Sequence, residues 1–243
     1  MPGPVSEILS VHHTWDDLEP HLGPGHDRSL VAYERSMRGC NIDSDEPALL
    51  DISIAIQPWE PQYEVAHYTD DGVDFPAPDL VNPQHLLHAE SADISNDPDS
   101  VNAFRRLVEP WTAQSNGTAT AVVVDGDTAG AMHALGLSQA RTASLTSREA
   151  VAWLAWAGAS GGAHGKRRGA ATGRSETWWF LATFTGLADD WPLDSLQMGE
   201  VLESLEYTLF ENDKAPTHGW GLHLIIEDPD EGLSIALTAT DTE

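Results

Sequence analysis

The sequence predicts an α+β fold, with helices packed on a mixed or antiparallel sheet and a β-hairpin at the C-terminus. Three observations carry this. Thr146 and Glu149 form a T-x-x-E capping box ahead of the apolar run "AVAWLAWAGA", which marks a helix start. Asp194 precedes a stripe of Met198, Val201, Leu202, Leu205 and Leu209 at i, i+3, i+4 spacing, which marks another. "WGLHLIIE" and "LSIALTAT" flank a "DPDEG" turn at hairpin distance, so they read as antiparallel strands. Strands and helices do not alternate strictly, which favours α+β over α/β.

The elements follow in chain order. Residues 5–12 read as a short helix, and Asp27 as the cap of a helix reaching Arg38. "LLDISIAIQPW", 49–59, alternates Ile52, Ile54 and Ile56 with Asp51, Ser53 and Ala55, the pattern of a half-buried strand ended by Pro58. "YEVAHYTDDGVDF" reads as two short strands around an Asp-Asp-Gly turn. Residues 70–100 are loop-like around a candidate helix at "PQHLLHAE", and 100–111 read as a helix stopping before Pro110. "QSNGT", 114–118, is the preferred boundary between an irregular N-terminal lobe, 1–113, and a more regular C-terminal lobe, 118–243, unless both form one continuous domain. "TATAVVVDGDTAGAMHAL" gives a strand, an Asp-Gly turn, and then a returning strand or a helix. Gln197 falls at the third position of the helix opened by Asp194, with Leu193 and Met198 placed as a hydrophobic staple.

The chain has 243 residues, enough for a sizeable core. It carries 39 Asp+Glu against 12 Lys+Arg, a formal net charge of -27. Such a polyanion repels nucleic acid and anionic membrane surfaces, and neither is expected as a partner. The charge suits a basic protein partner, a high-salt habitat, or simple solubility. The lone Cys40 excludes an intrachain disulfide. No apolar run approaches the ~18 residues that suggest a membrane span, and "MPGPVSEILSVHH" lacks the marks of a secretory signal. A cytoplasmic protein is expected.

"GGAHGKRRGAATGR", 161–174, concentrates four cations: Lys166, Arg167, Arg168 and Arg174. It fails the phosphate-binding pattern G-x-x-x-x-G-K-[ST], since Ser160 and Arg167 stand at the two anchors. Gly161, Gly165, Gly169 and Gly173 recur every four residues. On a helix they would form a small-residue seam for close packing, although Gly161-Gly162 also suits a break between two helices. The four cations are the anion-binding candidates, set against pairing with nearby acids. His164 is the weak candidate for proton transfer.

"KRRGAATG" resembles the acyl-CoA-binding turn of the acetyltransferase superfamily, [QR]-x-x-G-x-[GA]. That resemblance implies Lys166 in place of Arg or Gln, with Gly169 and Ala171 in register. The family has a strand before this turn, whereas here an apolar helical run precedes it. "VVVDGDTAG" resembles the D-x-D-x-[TV] strand of haloacid-dehalogenase-like phosphatases at Asp125 and Asp127, but Ala129 takes the fifth position. The pair is a weak metal candidate beside the reading as a plain Asp-Gly turn. His85 and His88, at i, i+3, are a second weak metal candidate, and no third ligand is evident. More widely, residues 118–243 resemble an uncharacterised actinobacterial family of unknown function. The shared features are "GAHGKRRG", the following Trp-Trp, and the Trp-Pro before the next helix. That resemblance implies no activity.

No cofactor is expected, and an enzyme is not favoured. The leading expectation is an acidic protein acting through protein contacts, in an immunity-like or regulatory role. The alternative is an enzyme or sensor binding a nucleotide or acyl-CoA at residues 164–174. Oligomeric state is left open.

Overall fold

The computed structural model describes residues 3–42, 46, 48–79, 81–211 and 219–242. Helices α1 (Val5–His12), α2 (Trp15–Leu18) and α3 (His26–Met37) open the chain. A small hairpin follows, β1 (His67–Thr69) with β2 (Gly72–Asp74). Then come β3 (His85–His88), β4 (Asp93–Ile94), α4 (Pro98–Leu107) and α5 (Glu109–Ala113). Next are β5 (Thr118–Asp125), α6 (Thr128–Ala134), β6 (Gln139–Leu145), α7 (Ser147–Ser160) and α8 (Ala170–Phe184). The chain closes with α9 (Ser195–Ser204), β7 (Glu206–Phe210), β8 (Trp220–Asp228) and β9 (Leu233–Asp241). The fold is α+β, as the sequence predicts.

A 7-stranded sheet runs in the order β3-β6-β7-β8-β9-β5-β4, and every neighbouring pair is antiparallel. The hairpin β8–β9 lies inside it. Strand side chains alternate between faces. Leu222, Leu224 and Ile226 of β8, with Ile235 and Leu237 of β9, join the main core beside α7 and α8. Ile225, Ala236 and Val124 face the other way and meet Met132 of α6. The main core draws on residues from both sides of position 113, Trp15 through Phe104 on one side and Leu154 through Ala239 on the other.

The helix-start signals at Thr146 and Asp194 fold as read, whereas Asp27 is not a cap: α3 starts at His26 behind Gly25, and Asp27 sits in its first turn. The Thr146–Glu149 capping box is closed in both directions. Asp194 accepts from the backbone N–H of Leu196 and Gln197, and both staple residues, Leu193 and Met198, are buried. The stripe passes beyond its helix, since α9 ends at Ser204 and Leu209 belongs to β7.

Three further expectations are corrected. Residues 49–59 form no strand, although Ile52 and Ile54 are buried as the alternation implies. Their carbonyls bond to side chains in place of a ladder: Tyr33 donates to Ile52 O, and Arg174 to Ser53 O and Ala55 O. "PQHLLHAE" holds the edge strand β3 instead of a helix. There Leu87 packs into the second apolar cluster, and pairing with β6 satisfies the backbone. Residues 161–173 are not one helix. α7 ends at Gly161, whose φ of 81° is left-handed, and α8 starts after Gly169, φ 86°. An L side chain resists both angles. The break between two helices is what the structure contains.

Candidate functional site

The break places residues 161–169 between two buried helices, packed against the N-terminal half of the chain. Ala163 N–H donates to the buried Asp241 carboxylate at 2.6 Å, and Arg168 N–H to Ala159 O at 3.0 Å. The glycines sit at close approaches. A Cβ on Gly165 would lie 2.6 Å from Pro110 O, and one on Gly173 would lie 2.3 Å from Ala155 O, where α7 and α8 cross.

The cations of this segment separate by depth. Arg174, on α8, has a fully buried side chain. Its Nε and Nη2 reach the Glu60 carboxylate at 2.9 and 2.8 Å, and Nη1 reaches Ser53 O at 2.6 Å. Trp178 Nε1 also donates to Glu60, at 2.7 Å. Every N–H-bearing nitrogen of this guanidinium is engaged, and the fork geometry of arginine makes that possible. Arg167 pairs with Glu7 at 2.7 Å, with both side chains buried, and its guanidinium lies 3.9 Å over the Phe75 ring. Tyr68 donates to the same Glu7. Arg168 donates to the carbonyls of Arg106 and Leu107, at the C-terminal end of α4, where a cation offsets the helix dipole. Lys166 and His164 are exposed.

Glu34 stands beside this cluster. Its Oε1 accepts from Ala171 N–H at the start of α8, while Oε2 has no partner. Burial first, and then the charge of Glu7, push its carboxyl up to about 7. The Ala171 N–H, Arg38 and Arg167 oppose that shift.

The other candidates lie apart. His85 and His88 are exposed on β3, three positions apart and therefore on opposite faces. Asp125 ends β5, exposed. Asp127 caps α6 by accepting from Gly130 N–H, so the Asp-Gly turn joins a strand to a helix. Among the described residues, no three His, Cys, Asp or Glu side chains group as a metal site, and no helix is long and apolar enough to cross a membrane.

Glu7, Glu34 and Glu60 were not singled out from sequence. For Glu34 a signal existed: it lies three residues after Val31 and three before Met37, on the apolar stripe of α3. All three carboxylates come from the first 60 residues and meet a segment more than a hundred residues away. The matching family model covers residues 3–243 and so spans both halves of the chain.

The chain belongs to a family of unknown function (DUF6183). The relationship reaches well beyond the C-terminal stretch, 118–243, that carried the sequence resemblance, and it includes both members of each buried ion pair. Neither the curated proteins nor the solved structures contain a match.

Proposed function

We propose that this protein acts by binding a basic protein partner through its acidic exterior, in a regulatory or immunity-like role. The observation that carries this reading is the inward turn of its cations. Arg167 and Arg174 are buried in ion pairs, and Arg28 and Arg168 keep only 16% and 18% of their side chains exposed. A chain of formal charge -27 thus directs part of its small basic complement into the fold. Each of the two buried pairs is neutral, so the acidic excess stays on the exterior, where fewer cations remain to offset it locally. Such a surface speeds encounter with a cationic partner and repels anionic ones. The same burial weakens the alternative of a nucleotide or acyl-CoA seat at 164–174. There Arg174 has no free N–H-bearing nitrogen, and Arg168 already donates to two carbonyls.

Two measurements test the reading. A labelled arginine-rich peptide should bind in fluorescence anisotropy and remain bound at about 150 mM salt, where the Debye length is about 8 Å. Nucleotides, acyl-CoA and inorganic phosphate should leave the melting temperature unchanged, since only a ligand of the folded state raises it. Peptide binding that vanishes at that salt would overturn the proposal. So would a CoA or nucleotide stabilisation that Lys166→Ala removes.

A further inference from the structure

Helices α4 and α8 do not close against each other along their full length. Between them runs a groove of about 520 Å³. One wall is a single face of α4, from Asp99, Asn102, Ala103 and Arg106 at i, i+3, i+4, i+7 spacing. The other is a face of α8 carrying Trp179 and Thr183, and the turn at Gly186–Asp189 closes the end. Three features of this groove point to one kind of occupant. Asp97, Asp99 and Asp189 line it, and among the described residues no cation pairs with any of them. Asp99 and Asp189 are exposed, while Asp97 caps α4. Trp179 supplies a half-buried indole, set edge-to-face with Trp191 at 5.3 Å. The chain's own Arg106 already stands over that indole, 5.7 Å from the ring centroid, with Glu176 at 2.7 Å holding its guanidinium. A cation over an aromatic face, flanked by carboxylate, is therefore the contact the inner end of the groove makes for itself.

We infer that the α4–α8 groove is where the partner docks, receiving an arginine or lysine side chain between Trp179 and the carboxylates of Asp97, Asp99 and Asp189. This rests on the proposed function and gives it a location. An indole attracts a cation through its ring quadrupole, and the attraction grows when the pair is partly desolvated, as in a groove. Asp99 and Asp189 add a field that draws the cation in, and no internal cation has to be displaced from them, whereas Asp97 stays bound to Ser100 N–H and Arg106, held by Glu176, opposes part of that field.

The test uses the full chain and a labelled hexa-arginine peptide. Asp99→Asn with Asp189→Asn removes two groove charges and leaves the Asp97 cap intact. Asp70→Asn with Asp71→Asn removes two exposed charges from the β1–β2 turn and serves as the matched control. The groove pair should weaken binding about tenfold and the control pair less than about twofold. In nitrogen–proton correlation spectra, the peptide should shift the indole N–H signals of Trp179 and Trp191, assigned by Trp179→Phe and Trp191→Phe, more than those of the other tryptophans. Equal weakening by both pairs, or indole shifts confined elsewhere, would overturn the groove while leaving the broader acidic-surface reading standing. A wild-type protein that does not bind the peptide would overturn both.

Discussion

Residues 52–56 and 222–226 both place large aliphatic side chains at alternate positions and turn them into the core, Ile56 only in part, yet they end in different backbone states. Leu222, Leu224 and Ile226 belong to β8, paired with β7 on one side and β9 on the other. Ile52 and Ile54 are buried in a segment with no ladder at all. Alternation therefore reports which side chains go inside. It does not report what satisfies the peptide groups between them. In β8 the partners are strands, one of them a few residues away across a hairpin. In the 52–56 stretch the partners are Tyr33 and Arg174, and the arginine is held in place by Glu60. One region is built by local pairing and the other by a buried charge.

The largest expected effect strikes that charge. Arg174→Met leaves Glu60 buried without its counter-ion, and breaking a buried pair from one side costs about 3–5 kcal/mol. Urea unfolding should show that loss, and adding Glu60→Gln should restore a large part of it. Hydrogen exchange should quicken around residues 50–60 more than in β8 and β9. Uniform quickening would break the comparison, because it would mean the two regions are held as one.

Glu34 gives the next effect, read through pH. Its folded carboxyl, at about 7, lies above the ordinary value of 4.5, so folding favours the protonated form. That contribution is complete below about pH 4.5 and is lost as pH rises through about 7, on the order of 3 kcal/mol. Glu34→Gln keeps an acceptor for Ala171 N–H and cannot ionise. The stability difference between wild type and Glu34→Gln should therefore change across pH 5 to 8, with the wild type losing ground as pH rises. Parallel pH curves for the two proteins would contradict the assignment.

A smaller loss follows from the helix crossing. Gly173→Ala puts a methyl against the backbone of α7, and such overpacking costs typically about 1–3 kcal/mol. Thermal unfolding at fixed protein concentration measures it. The smallest effect belongs to Arg105, which is exposed on α4; Arg105→Ala should stay within about 0.5 kcal/mol. A large loss there would mean that surface cations support the fold as the buried ones do.

What the sequence revealed follows the range of each interaction. The Thr146–Glu149 box, the Asp194 cap and the β8–β9 hairpin are closed by residues a few positions apart, so their pattern is local and readable. The Glu60–Arg174 pair spans 114 residues, and nothing near either residue announces the other. The four-residue glycine interval suggested one helix because a seam needs that spacing. The glycines serve two different ends instead. Gly161 and Gly169 take left-handed angles at helix boundaries, while Gly165 and Gly173 admit a neighbour's backbone. "PQHLLHAE" carries helix-compatible residues, and an edge-strand pairing with β6 overrides that weak preference.

The central claim is that the arginines of the basic segment face inward and leave the exterior acidic. Arginine-directed dicarbonyl labelling of the native protein, read residue by residue by mass spectrometry, tests it most directly. Arg105 and Arg141, both exposed, should react readily, while Arg167 and Arg174 should resist until denaturant is added. Native-state labelling of Arg167 and Arg174 at the rate of Arg105 would contradict the account.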